Sequence, residues 1–307
     1  MLHQGTRKKR RHTIIFFYFT FCLLPLISFS QEEKEYVFGT FRSSQLSNVQ
    51  TTEMVQSKSF EFSIRHRFGM IGPDSTVYEQ FLGFDLPANI RFAFVVPVGD
   101  KLNIGLGRTK NEKTFDGEFK YLLFRQTEDN KMPLTVAAYL NVAMKTNRFP
   151  KVLEYAFYSD GITPFTYKFN HRFSYCSELI CARKFSEKFS MQITSVWGYK
   201  NLVSPGFENH MLSVPVSVMY KTGLHSSLTA EYAYRFNNRP SENDYPLSVA
   251  WEMGTTGHIF QLILSSSGEL VEQEIYFKDG YNYKKGNLVL GFNIRRTFWN
   301  KKAQKKP

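Results

Sequence analysis

Phe60-Glu61-Phe62-Ser63-Ile64-Arg65-His66-Arg67-Phe68 decides the fold. Phe60, Phe62, Ile64, His66 and Phe68 fall on every second position, with Glu61, Ser63, Arg65 and Arg67 between them. Side chains of a strand alternate between its two faces, so this stretch has one apolar and one charged face. A soluble sheet would turn the charged face to water and the apolar face to a core. A closed sheet in a membrane does the reverse, because lipid takes the apolar face and the lumen takes the charges.

The pattern recurs about a dozen times outward from residues 57–69. Asn89–Val98 carries Ile90, Phe92, Phe94, Val96 and Val98 on one face, and 101–109 carries Leu102, Ile104 and Leu106. Gly99-Asp100 between them predicts a tight hairpin. Alternation continues at Phe115–Leu123, Leu134–Val142, Tyr167–Tyr175, Phe189–Trp197, Leu212–Tyr220 and Leu228–Phe236, then at 247–253, 258–264 and 288–298. Residues 147–164, with Pro150, Gly161 and Pro164, break the rhythm and read as a long loop or a short surface helix. Residues 265–285 read as another long loop.

The amino terminus supplies the compartment. Arg7 to Arg11 form a basic cluster, an apolar run from Thr13 to Ile27 follows, and Ser28-Phe29-Ser30 places small residues before Gln31. This is the pattern of a signal peptide cleaved after Ser30. The apolar run is shorter than the roughly 20 residues of a spanning helix. No later segment is long and apolar enough for one, which excludes a helical membrane protein. Phe21 before Cys22 argues against a lipoprotein signal. The formal charge of +12 falls to +7 once the five basic residues of the leader are gone. The expected organisation is a signal peptide at 1–30, a periplasmic segment at 31–56, an outer-membrane barrel at 57–299 and a basic tail at 300–307.

Aromatic residues make up 16% of the chain, with 30 Phe and 17 Tyr, enough for girdles at two membrane interfaces. The fold class is therefore all-β: a closed antiparallel up-and-down transmembrane barrel of about 12 strands. A soluble all-β sandwich is the competing reading.

Several segments together resemble a family of exported β-barrel proteins common in Bacteroidota, the domain of unknown function 5777. They are Phe62 to Gly69, Ala88 to Phe92, Ile104 to Thr109, Ala182 to Ser186, Pro246 to Ser248, Thr256 to Leu262 and Gly291 to Ile294. The resemblance covers nearly all of the chain after the leader. It implies an outer-membrane barrel of a Gram-negative bacterium, and it brings no activity and no catalytic residues.

Parity assigns an inward set: Arg65, Arg67, Arg91, Lys120, Lys168, Arg172, Lys184, Arg235 and Arg295, with Glu61, Asp116, Glu118, Glu178, Glu231 and Glu252. A barrel this narrow can be filled by such side chains as interlocked ion pairs. Alternatively, a basic constriction favours small anionic solutes. His66-Arg67-Phe68 and His171-Arg172-Phe173 repeat a tripeptide, with both histidines in the outward phase, so no metal site is expected. If Ser177–Ile180 forms a turn, Cys176 and Cys181 could close a disulfide; if one strand runs straight through, as the apolar flanks favour, they sit on opposite faces, too far apart to bridge. Gly105-x-Gly107 lies inside a strand pattern with no helix behind it, which excludes a phosphate cradle. Ser63 and His66 lie three apart, on opposite faces, and cannot act as nucleophile and base.

The expected function is non-enzymatic: a small channel with a basic lumen, or a structural envelope barrel. The alternatives are a docking barrel that holds an envelope partner on its long loops and, less favoured, a lipid-modifying enzyme. No cofactor and no nucleic-acid partner are expected; lipid is the expected surroundings.

Overall fold

The computed structural model describes residues 35–73, 78–152, 156–158, 160–204, 206–237 and 245–299. The leader at 1–30 and the tail at 300–307 lie outside them. The described residues form twelve strands: β1 (Ser59–Ile71), β2 (Asn89–Val98), β3 (Leu102–Thr109), β4 (Thr114–Phe124), β5 (Thr135–Lys145), β6 (Phe173–Lys184), β7 (Phe189–Lys200), β8 (His210–Lys221), β9 (Ser226–Arg235), β10 (Leu247–Thr255), β11 (His258–Ser265) and β12 (Leu288–Trp299).

Each strand pairs antiparallel with the next, and β12 pairs with β1, so the sheet closes without an edge. The closing seam sets Ser59 against Trp299 and Ser63 against Arg295, while β1 sets Phe62 against Phe94 and Arg65 against Arg91 on β2. Parity thus places aromatic against aromatic on the outside and charge against charge within. Phe60 stacks on Phe298 at 4.7 Å between ring centroids, and Phe62 meets Phe94 at 4.7 Å. Cross-strand pairs of this kind help to pin the register.

Burial is inverted relative to a soluble protein. The largest fully buried side chains include Arg65, Arg67, Arg91 and Arg235, whereas Phe94, Leu106, Phe115, Trp251 and Leu262 lie exposed. An apolar band of that extent would cost roughly 25 cal/mol per Å² in water and far exceeds an ordinary surface patch. It requires lipid. The sandwich reading fails because the apolar faces do not meet one another.

The two ends differ. Connections 99–101, 125–134, 185–188, 222–225 and 256–257 share one end with the start of β1 and the end of β12. Connections 72–88, 110–113, 146–172, 201–209, 236–246 and 266–287 occupy the other. Short turns on one side and mostly longer loops on the other match bacterial outer-membrane barrels.

Some boundaries move. The alternation expected from Tyr167 to Tyr175 begins as strand only at Phe173; Phe169–Arg172 is a 3-10 turn. Within 147–164 the described residues form a loop closed by a Phe157–Pro164 bridge, with no helix. β6 runs straight through both cysteines, leaving Cys176 buried inside, Cys181 half-buried outside, and both thiols free.

Candidate functional site

The lumen is filled by two stretches of the chain itself. The first is 35–56, which the sequence sets apart as a periplasmic segment. It enters at the short-turn end, where the Val37 amide donates to the Gln126 carbonyl at 2.9 Å. It then turns back on itself deep inside: Leu46 N donates to Val49 O at 2.9 Å, and Gln45 bridges Gln50. Ser47, Thr51 and Leu46 are wholly buried. Polar residues there have no bulk water, so the wall must satisfy them.

It does so mainly with the inward set. The Glu231 carboxylate accepts the Asn48 amide at 3.0 Å and the Val49 amide at 3.3 Å, capping the hairpin tip, and it also accepts the Ser248 hydroxyl at 2.7 Å. Arg67 donates to Ser47 O at 2.8 Å and to Asn48 Oδ1 at 3.1 Å. Lys120 donates to Ser44 O at 2.6 Å, Arg295 to Gln45 Oε1 at 3.0 Å, and Gln192 to Gln50 O at 2.7 Å. Charge-assisted bonds to a buried backbone are among the stronger kinds available. Leu46 and Phe41 add an apolar foot against Ala182 and Met219, two inward residues of β6 and β8. Burial pushes the Glu53 carboxyl of this segment above its ordinary value, despite the Phe41 amide and the Arg125 and Lys120 cations.

The second stretch is 266–287, most of which falls in the 265–285 segment read from the sequence as a long loop that could hold a partner. It folds inward from the other end and carries a short helix, α1 (Glu272–Phe277), every residue of which is buried. Ile275, Tyr276 and Phe277 pack on Cys176, Val196, Met211 and Ala233. Gly198 of β7 makes room, since a Cβ there would lie 2.8 Å from the Phe277 ring. Arg235 donates to the carbonyls of Tyr276 at 3.2 Å and Phe277 at 2.9 Å, and Arg65 donates to that of Leu270. The two stretches meet where Gln45 and Gln50 donate to Glu272 Oε1 at 3.2 and 3.1 Å.

Only part of the wall forms ion pairs of its own. Arg91 grips Asp116 through two bonds and Glu118 at 3.2 Å, while Tyr139 donates to Glu118 at 3.0 Å. The Gly105-x-Gly107 pair serves this cluster: a Cβ on Gly105 would lie 2.6 Å from the Glu118 side chain, and one on Gly107 2.6 Å from Asp116 Oδ1. Glu252 accepts from Gln261 at 2.7 Å and from Ser227 at 3.2 Å. What remains between plug and wall here is a polar cavity of about 20 Å³, near the size of one water.

Parity therefore places Arg65, Arg67, Arg91, Lys120, Arg235, Arg295, Glu118, Glu231 and Glu252 inside. Two inward assignments change. Arg172 lies in the 3-10 turn at the long-loop end, where it donates to the Lys145 carbonyl at 2.9 Å and the Asn147 carbonyl at 2.6 Å. Lys168 is an exposed loop residue over the Tyr158 ring. Lys184 keeps the inward phase but ends β6 at the short-turn rim, paired with exposed Glu187 at 2.8 Å. Arg172 and Lys168 miss because parity holds only while the chain stays in strand.

The histidines separate for the same reason. His66 faces outward and stacks on Phe292 at 5.0 Å, while His171 lies in the loop beside Phe165. Among the described residues no group of three or more His, Cys, Asp or Glu side chains converges to hold a metal. Sequence reasoning missed Asn48, Glu272, Gln273 and Glu274, which lie in segments without alternation.

Residues 41–298 match the model of the family described as membrane bound beta barrel domain (DUF5777). No curated protein matches the chain. Among solved structures it is similar to the KdgM porin, at 7% identity and TM-score 0.45 over 78% of this chain and 99% of that one. It is similar to the NanC porin at 7% identity and TM-score 0.47 over 78% and 99%. It is also similar to the COG4313 outer membrane channel from Pseudomonas putida F1, at 10% identity and TM-score 0.46 over 80% and 97%.

Proposed function

From the premise that this chain belongs to the membrane bound beta barrel domain family (DUF5777), we propose a non-enzymatic, porin-like channel of the Gram-negative outer membrane, held closed by its own amino-terminal hairpin. The observation that carries this reading is the double occupancy of the lumen, where the hairpin lies on Arg67, Lys120, Arg295 and Gln192 and the second stretch on Arg65 and Arg235. The two fillers differ in how they are held. The stretch 266–287 is tethered to strands at both ends, so it can shift but not leave. Among the described residues the hairpin joins a strand only through β1, at its carboxyl side, and it is held by hydrogen bonds that a hydrated lumen could replace with water. Withdrawal toward the short-turn end would clear the volume beside Arg67, Lys120, Arg295 and Gln192. Inward charges of both signs line that volume, so its ion preference depends on which carboxylates keep their partners.

The test is a barrel lacking residues 35–56, with export and processing left intact, compared with the full protein in planar bilayers. The expected result is steady conductance from the shortened barrel and closed or brief events from the full one. A shortened barrel that inserts, keeps heat-modifiable gel mobility and still passes no current would instead mark a structural envelope barrel.

A further inference from the structure

One cleft at the long-loop end takes no part in seating the hairpin. It measures about 160 Å³, the volume of about five waters, and so suits one ring rather than a chain. Lys145, Lys200 and Arg172 line it with Glu112, Phe149 and Tyr167. Phe149 and Tyr167 stack at 4.4 Å, and the Arg172 guanidinium lies over Phe149 at 3.9 Å, so the aromatic wall is braced before any ligand arrives.

Two cations of this cleft, Lys145 and Lys200, also hold α1. Glu274 lies 3.2 Å from Lys145, 2.9 Å from Lys200 and 3.5 Å from Lys278. One carboxylate thus faces three ammonium groups. Lys278 has a second partner in Glu269 at 2.6 Å, and Glu112 is occupied by the Asn147 amide at 2.7 Å. Arg172 spends its bonds on carbonyls, which do not neutralise it. Among the described residues named here, Lys145, Lys200, Lys278 and Arg172 outnumber Glu274, Glu269 and Glu112 by one charge.

We propose that this cleft binds a small carboxylated ring solute between Lys145, Lys200 and Arg172, and that the bound anion competes with Glu274 for the two lysines. The ring lies against the edges of Phe149 and Tyr167, whose faces are already stacked, while its carboxylate takes the ammonium groups. Occupancy then loosens α1 from the mouth. That consequence for gating rests on the channel reading above, whereas binding itself does not.

The experiment is isothermal titration of the full mature protein in detergent micelles with D-glucuronate, D-glucose and inorganic phosphate. Hydrogen exchange of residues 272–277 is followed in parallel. Glucuronate is expected to bind saturably, glucose not at all, and phosphate more weakly than glucuronate. Lys200→Gln weakens glucuronate binding about tenfold, and Glu274→Gln, which frees the lysines and keeps every cation, tightens it about tenfold. Glucuronate speeds exchange in α1 of the unaltered protein. No saturable binding, or an affinity indifferent to Glu274→Gln, overturns the proposal; phosphate binding as tightly as glucuronate overturns the ring specificity. None of these readouts requires current through the barrel, so failure here and failure of the channel reading are distinguishable.

Discussion

Glu231→Gln should loosen the hairpin without disturbing the barrel. The carboxylate uses both oxygens on the hairpin tip, with Asn48 N at 3.0 Å from one and Val49 N at 3.3 Å from the other. A glutamine keeps one acceptor and turns an NH₂ group toward a backbone N–H, so one charge-assisted bond goes and two donors face each other. A bond of that class contributes about 2 kcal/mol, which shifts the seated-to-withdrawn ratio about 30-fold. The wall itself loses little, because Ser248 can still donate to the remaining oxygen. The assay uses Ser47→Cys, at a wholly buried position on the tip, with a membrane-impermeant maleimide. Background from Cys176 and Cys181 is subtracted in the parent protein. The labelling rate at position 47 should rise about 30-fold in the Glu231→Gln background. Glu187→Gln at the exposed rim should leave it unchanged. An equal labelling rate in all three, with intact gel mobility, would refute the view that Glu231 seats the plug.

Two further outcomes follow from the buried charges. Arg91→Met strands Asp116 and Glu118 without their cation and should cost about 3–5 kcal/mol, read as a lower urea midpoint of the barrel in micelles. The seat of α1 should weaken in acid: burial alone would raise the Glu274 carboxyl, but Lys200, Lys145 and Lys278 outweigh it and hold it well below its ordinary 4.5. A depressed folded value means the stabilisation is complete above pH 4.5 and fades as pH falls toward the folded value. Hydrogen exchange across 272–277 should therefore be flat from pH 7 to about 5, once corrected for intrinsic rates, and accelerate below that.

Parity made most of the wall legible. β2 matches the range read from alternation, and the phase of Arg65, Arg67, Arg91 and Arg295 follows from counting by twos. Such counting fails at Arg172 and Lys168, where the chain has left the strand before its apolar rhythm stops. It is also silent about Asp279, which pairs with Arg235 at 2.5 Å from within the inward-folded stretch.

By itself, the sequence determined the strands, their two faces and the need for lipid on one of them. Each of those properties is local: a side chain's direction depends on its neighbours in the chain. Only the tertiary structure decided what fills the lumen. Residues 43–52 are nearly all polar, and 266–287 mixes charge with apolar residues without a strand rhythm. Polarity reports that a segment needs hydrogen bonds, not whether water or a ring of arginines, glutamates and amides supplies them. That ring exists only once β12 has closed on β1, when residues far apart in sequence, Arg67, Lys120, Gln192, Glu231 and Arg295, converge on one hairpin.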